Sequence, residues 1–211
     1  MKIVIPARKG SKGLPFKNRI LFKHTADIIP DDLKQYVYVL SDDKEIIDMG
    51  ISYGFNITPR PSSISQDETS TSEVMNYFVT ETKSDHTDDI IMLYLTYPQR
   101  KWEDVVAALR LMNNNGAKSL LCKKDICSTP FLMLQELEDG KGHKLIDHDL
   151  YRRQDYPKCF ELSHYISIFN ASHINKLNNN MYNEDTIFMS IPNDTIDVDT
   201  KKDLDKYNGS N

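Results

Sequence analysis

The chain has 211 residues, of which 39% are hydrophobic, and a formal net charge of −5. This length suits one domain with a sizeable core, and the acidic balance argues against a general nucleic-acid-binding protein, which needs a broad cationic surface. Three cysteines without metal-type spacing argue against a disulfide framework or a zinc site, and the lack of a signal-like start or of a ~20-residue apolar run predicts a cytoplasmic protein with no membrane partner.

Short apolar runs alternate with helical patterns along most of the chain. The candidate strands are residues 2–6, 36–40, 90–95 and 117–122, with a further apolar run at 165–169. The candidate helices are residues 43–53, a segment from 71 or 72 to 84, and residues 102–112, while the region before residue 36 offers only a reduced helix at 28–35. This alternation predicts an α/β fold with a mostly parallel sheet, whose ligands bind at the carboxyl ends of the strands.

The loop after the first strand is rich in glycine and cations. The sequence KIVIPARKGSKGLPFKN places Gly10 and Gly13 among four cationic side chains, Arg8, Lys9, Lys12 and Lys17. Glycines that adopt positive φ can turn successive backbone N–H groups towards an anion, so the loop predicts a phosphate site. The spacing matches neither the dinucleotide fingerprint nor the P-loop, and a basic surface turn is the alternative.

Two acids near the other end of the chain alternate with apolar residues. In an extended segment, Asp197 and Asp199 point to the same side. Side-by-side carboxylates that repel each other can be stabilised by Mg²⁺, which prefers a few carboxylate oxygens together with phosphates and water. Alternatively, Asp199 and Thr200 simply cap the last helix.

The residues 7–18, ARKGSKGLPFKN, resemble the amino-terminal signature of the acylneuraminate cytidylyltransferase (CMP-sialic acid synthetase) family. The later landmarks follow in matching order: Leu40-Ser41-Asp42-Asp43, Arg60-Pro61, Thr96 with Pro98 and Arg100, Arg152-Arg153-Gln154-Asp155, and Ile196 to Thr200. The resemblance therefore covers almost the whole chain. It implies a Rossmann-like nucleotidyltransferase fold of three layers, similar to glycosyltransferase A, in a divergent and shortened member of the family.

The resemblance assigns the nucleotide half of a site. It implies that Arg8, Lys12 and Lys17 are catalytic residues that neutralise the triphosphate. It also implies that Asp197 and Asp199 hold Mg²⁺, with Mn²⁺ as an alternative, and that Asp199 is itself a catalytic residue. The residues expected to contact the nucleotide are Ser11, Asn18, Arg60, Ser70 and Ser72. For four of them a purely structural role is the alternative: a turn cap for Asn18, a rigid Pro-flanked turn for Arg60 and helix capping for both serines.

The sugar half diverges from the resembled pattern. The family segment commonly reads QPTSPLR, and here Tyr94 stands in place of its glutamine. The expected sugar-binding residues are Tyr94, Thr96, Arg100, Arg152, Arg153, Gln154 and His164. Arg152 and Arg153 could equally form a solvated or dimer salt bridge, and His164 a structural contact.

We expect residues 1–207 to form a single domain, with an insertion at about 128–170 and a tail at 208–211. By resemblance the insertion supports a homodimer and helps to complete the sugar pocket. The implied reaction joins CTP to an acidic sugar, sialic acid or a related nonulosonic acid, with release of pyrophosphate. A sugar-phosphate nucleotidyltransferase and a catalytically silent nucleotide-binding protein are the alternatives, the latter because the early helix is reduced and the sugar segment altered.

Overall fold

The protein is built around a seven-stranded sheet in the order β3-β2-β1-β4-β8-β5-β9, seen in a computed structural model that describes residues 1–209. The strands of this sheet are β1 (Lys2–Ala7), β2 (Val37–Ser41), β3 (Asn56–Pro59), β4 (Asp89–Met92), β5 (Ser119–Asp125), β8 (Phe160–Asn170) and β9 (Ile187–Ser190). A separate antiparallel pair consists of β6 (Leu134–Glu136) and β7 (Gly142–Lys144). Only β8 runs against its neighbours in the main sheet, so the predicted mostly parallel sheet is confirmed.

Helices cover both faces of the sheet. They are α1 (Lys17–Asp27), α2 (Lys44–Ser52), α3 (Thr71–Glu81), α4 (Trp102–Asn114) and α5 (Lys201–Gly209). Buried residues of α1, α2, α4 and α5 share one apolar cluster, and those of α3 share the other with a 3-10 turn at Ala171–Lys176. Alternate residues of β1 supply the two clusters, with Ile3 and Ile5 on one face and Val4 on the other. The three-layer architecture predicted from the sequence is confirmed.

The helix at the start of the chain corrects one prediction. The expected reduced helix at residues 28–35 is a 3-10 turn at Asp31–Tyr36, and the covering helix is α1, which precedes it. Leu21, Phe22 and Ala26 of α1 are almost fully buried in the core. This face of the sheet is therefore covered by α1. The reduced early helix no longer supports the alternative of a catalytically silent protein.

The antiparallel strand β8 corrects the boundaries of the insertion. Residues 160–170, the last part of the predicted insertion 128–170, lie between β4 and β5 in the main sheet. The register between β5 and β8 also shifts at a bulge between Leu120 and Cys122. Leu120 pairs with Ile168, whereas Cys122 pairs with Ser163. Such a bulge re-aims side chains. The last helix includes residues 208 and 209 of the predicted tail, and Ser210 and Asn211 lie outside the described residues.

Within the described part of the chain, no helix combines the length and the apolar character that crossing a bilayer requires.

Candidate active site

The cationic loop is held in place by side chains that follow the carboxyl end of β2 and begin α1. Gly10 adopts a φ of +83°, the left-handed conformation expected of a loop glycine. The Lys9 N–H donates to the Asp42 carboxylate at 2.5 Å, and the Asn18 amide donates to the Arg8 carbonyl at 2.9 Å. These contacts fix the loop between two strand ends, as the open α/β rule predicts.

Gly13 serves a different purpose from the one predicted, because its φ is not positive. A Cβ added at Gly13 would lie 2.4 Å from the Asp199 carbonyl oxygen. The glycine therefore permits close approach between the loop and the segment that carries the paired acids. This contact joins the two ends of the chain at the site.

The paired acids lie on the same side of an extended segment, as predicted. Ile196 and Val198 are buried in the core, while Asp197 and Asp199 line a cavity. The Lys17 ammonium contacts the Asp199 carboxylate at 2.5 Å, and the Tyr97 hydroxyl donates to Asp197 Oδ2 at 2.8 Å. The loop and the acids therefore share one electrostatic network.

The cavity between the loop and the acids has a volume of about 340 Å³. Eleven predicted site residues line it: Arg8, Ser11, Lys12, Lys17, Asn18, Arg60, Tyr94, Thr96, His164, Asp197 and Asp199. They come from both ends of the chain, from the segments that follow β3 and β4, and from β8. Their convergence fits a ligand that carries several negative charges.

Asp67 pairs with two of the loop cations. Its carboxylate contacts the Arg8 guanidinium and the Lys12 ammonium, each at 2.5 Å. Hydrogen bonds from Lys12 and then from Arg8 lower the pKa of Asp67. The carboxylate therefore stays ionised and occupies the cations as an anionic ligand would.

Arg60 lies in the wall of the cavity and is 9% exposed. Its Nε and Nη2 atoms donate to the Ile64 carbonyl at 2.9 and 2.6 Å. Burial lowers the pKa of Arg60, while the charge of Asp42 opposes this shift. The side chain thus supplies a fixed positive charge in the wall of the cavity.

The wall predicted to face the sugar is aromatic and uncharged. The Tyr94 hydroxyl shares a 2.8 Å hydrogen bond with Thr71 Oγ1, and the His164 ring stands edge-on to Tyr94 with centroids 5.6 Å apart. Burial lowers the pKa of His164, although Asp197 acts in the opposite direction. His164 is therefore a neutral group at neutral pH, able to donate or accept a hydrogen bond.

Arg100 lies beneath the cavity rather than in it. It is 2% exposed, and its Nε and Nη2 atoms donate to the carbonyls of Tyr165 and Tyr94 at 2.7 and 2.6 Å. The predicted direct sugar contact of Arg100 is therefore replaced by a structural one: the guanidinium fixes the backbone of the aromatic wall.

Five other predicted residues also lie outside the cavity lining. Ser70 caps α3 through a reciprocal bond with Glu73, which supports the capping alternative for this serine. Ser72 lies inside α3, where its hydroxyl accepts from the Asn76 amide at 3.4 Å. The remaining three, Arg152, Arg153 and Gln154, are exposed on the insertion, where Arg152 pairs with Asp155 at 2.6 Å. Within one chain these side chains do not join the site.

The acid pair fits a divalent cation that also binds phosphate. Among the described residues, Asp197 Oδ1 is buried without a hydrogen-bond partner. No group of three or more His, Cys, Asp or Glu in that same part of the chain could hold a metal unaided. Two carboxylates with an open coordination sphere suit Mg²⁺, which keeps water and phosphate ligands.

Sequence reasoning missed three of the polar residues that shape the cavity. Asp67 and Thr71 lie in the same polar stretch, residues 67–72, as Ser70 and Ser72, but the resemblance singled out only the two serines. Tyr97 had no signal in the sequence, because only the fold brings its hydroxyl to Asp197.

The chain is similar to cytidylyltransferases in sequence and to a CMP-sugar synthetase in fold. No protein-family model matches the chain. It is 23% identical over 213 residues to N-acylneuraminate cytidylyltransferase of Streptococcus agalactiae serotype V, covering 95% of this chain and 51% of that protein. It is 28% identical over 218 residues to CMP-N,N'-diacetyllegionaminic acid synthase of Legionella pneumophila, covering 95% and 91%.

The chain is similar in sequence to N-acylneuraminate cytidylyltransferase over 95% of its own length.

The resemblance inferred from the sequence is thereby confirmed, and the chain spans about half the length of the Streptococcus relative. A solved structure of CMP:2-keto-3-deoxy-manno-octonic acid synthetase complexed with CTP aligns with a TM-score of 0.65 at 15% identity, over 99% of this chain and 97% of that one. This likeness confirms the fold class predicted for this chain.

Proposed function

We propose that the protein is a CTP-dependent cytidylyltransferase that activates an acidic α-keto sugar of the nonulosonic type. The observation that carries this proposal is the convergence of the loop cations with Asp197 and Asp199 on one cavity. The names of the relatives, an N-acylneuraminate cytidylyltransferase and a CMP-sugar synthase, support the same reaction.

In the proposed reaction the anomeric hydroxyl of the sugar attacks the α-phosphorus of CTP. The hydroxyl loses its proton to solvent and forms a new P–O bond. The bond between the α-phosphorus and the oxygen that bridges to the β-phosphate breaks, and pyrophosphate leaves with that electron pair. Arg8 and Lys12 exchange the carboxylate of Asp67 for phosphate oxygens and offset the charge on the leaving group. Lys17 holds Asp199 beside this charge.

Asp197 and Asp199 are the residues that would hold Mg²⁺, or Mn²⁺. When bound, the cation polarises the phosphate oxygens and stabilises the developing negative charge. Asp197 presents its unpartnered oxygen to such an ion, and Asp199 lies on the exposed side of the cavity. The backbone contact at Gly13 fixes the distance between these acids and the loop.

We assign the sugar to the wall formed by Tyr94, Thr96 and His164. Its neutral hydroxyl, imidazole and aromatic surfaces suit the polar and apolar faces of a sugar.

The exposed apolar side chains of the insertion suit burial in a cytoplasmic homodimer. They are Leu132, Met133, Leu134, Leu137, Leu145, Leu150 and Tyr151. Sedimentation velocity should then give twice the chain mass, and a monomer at every concentration contradicts the dimer.

Pyrophosphate release tests the reaction directly. The purified protein is incubated with CTP, Mg²⁺ and a panel of sialic, legionaminic, pseudaminic and octulosonic acids, with UTP and GTP as alternative nucleotides and Asp199→Asn as the inactive control. We expect CTP-selective release with at least one acid. Release only with sugar phosphates favours the other nucleotidyltransferase class. CTP binding without release from any acceptor favours the silent alternative.

A further inference from the structure

The two oxygens of the Asp197 carboxylate have different surroundings. Oδ2 accepts a 2.8 Å hydrogen bond from the Tyr97 hydroxyl. Oδ1 is buried and has no hydrogen-bond partner among residues 1–209. A buried carboxylate oxygen left unpaired is costly, so native proteins retain one where a ligand completes it. The structure therefore fixes Oδ2 of Asp197 and leaves Oδ1 available to a ligand.

A directed chain of donors fixes the oxygen that is held. The Tyr165 N–H donates to Ser163 Oγ at 3.3 Å, and Ser163 Oγ donates to the Tyr97 hydroxyl oxygen at 3.3 Å. An ionised carboxylate can only accept, so the Tyr97 hydroxyl must give its hydrogen to Asp197. Ser163 and Tyr97 are 3% and 4% exposed, which keeps water from competing for these bonds.

Packing prevents Tyr97 from turning away. Its ring stands edge-on to Tyr165 with centroids 5.6 Å apart, and the Arg100 guanidinium lies 5.7 Å from the ring centre. The Val198 N–H also donates to the Thr96 carbonyl at 2.8 Å, which ties the backbone beside Asp197 to the backbone beside Tyr97. Donor and acceptor therefore belong to one rigid unit.

We infer that Tyr97 is a positioning residue that orients Asp197 to bind the divalent cation through Oδ1. The inference rests on the proposed function, because the cation arrives with the nucleotide. Groups that hold a metal ligand by hydrogen bonds set its orientation, and their loss typically weakens metal binding by about 10- to 100-fold. Ser163 acts indirectly, because it donates to the Tyr97 hydroxyl and so helps to orient it.

The test is Mn²⁺ binding in the presence of CTP, measured by electron paramagnetic resonance on wild type, Tyr97→Phe and Tyr165→Phe. Tyr97→Phe keeps the ring and loses only the hydroxyl, so we expect about 10-fold weaker Mn²⁺ binding. Its turnover should need more Mg²⁺ and should recover at saturating Mg²⁺, which a loss of folding would not produce. Tyr165→Phe removes a neighbouring hydroxyl that bonds Asp104 instead, so its Mn²⁺ affinity should match wild type.

The outcomes separate this inference from the proposed function. If wild type binds Mn²⁺ with CTP and Tyr97→Phe binds it equally well, the positioning role is wrong and the proposed function stands. If Tyr165→Phe weakens Mn²⁺ binding as much as Tyr97→Phe does, the effect comes from a general change in packing, and the inference also fails. If wild type binds no Mn²⁺ with CTP, the metal site of the proposed function is wrong, and the positioning role falls with it.

Discussion

Replacing Gly13 with alanine tests whether the contact between the loop and the acid segment sets the geometry of the site. The new Cβ would lie 2.4 Å from the Asp199 carbonyl oxygen, where an ordinary carbon–oxygen contact is about 3.4 Å. The obstacle is backbone and cannot rotate aside, so the loop and the acids must separate by about 1 Å.

Two magnitudes follow from this displacement. Forcing an extra carbon into a filled space costs about 1–3 kcal/mol of stability. A 1 Å misplacement of catalytic groups can reduce the rate by about 10²-fold. We therefore expect Gly13→Ala to fold with modestly reduced stability and to lose about two orders of magnitude in kcat/KM, measured by pyrophosphate release alongside urea unfolding.

Gly54→Ala is the matched control for Gly13→Ala. Gly54 has a φ of +77° and, among the described residues, nothing within 4 Å of an added Cβ. Alanine there costs about 1–2 kcal/mol through backbone strain, far from the cavity, and should leave kcat/KM unchanged. A Gly13→Ala protein with wild-type kcat/KM would refute the reasoning, as would an equal loss of activity in Gly54→Ala.

Three further predictions concern the charges and buried groups around the site. Asp67→Asn should bind CTP more tightly than wild type in calorimetry, because it removes an anion that competes for the loop cations, and weaker binding would show that the carboxylate instead organises the loop. Arg100→Met should lower the free energy of urea unfolding by about 1–3 kcal/mol for each of the two carbonyls it leaves unpaired, and a stability equal to wild type would contradict the buried role assigned to this side chain. Burial, followed by the charge of Lys176, lowers the pKa of His173, whose ring accepts from Asn183 at 3.0 Å. The unfolded chain therefore protonates this histidine near pH 6.5, whereas the folded protein disfavours its protonation. The free energy of unfolding should fall as pH drops through and below that value. In urea titrations between pH 7.5 and 5.5, His173→Gln should show a shallower fall.

The architecture could be predicted from the sequence because local patterns determine it. The continuous apolar run of β1 and the apolar face of α4 are local signals, and so is the glycine-rich loop that follows the first strand. The shared side of Asp197 and Asp199 also follows from the period of an extended chain. The cavity accordingly contains most of the residues that the sequence singled out.

The remaining features depend on contacts distant in sequence. The helix α1 was missed because its buried residues follow a polar loop in which Phe16 starts the helix from a left-handed conformation. Arg100 was misassigned because only the packing of β8 shows that its guanidinium faces backbone carbonyls and not the cavity. The pairing of Tyr97 with Asp197 spans 100 residues and has no local signature.

Calorimetric titration of CTP, with and without Mg²⁺, tests most directly whether the loop and the acid pair together hold a metal-bound triphosphate. Wild type should bind CTP more tightly with Mg²⁺, and the double variant Asp197→Asn/Asp199→Asn should lose that enhancement while remaining folded. The same enhancement in both proteins, or none in wild type, would contradict the account.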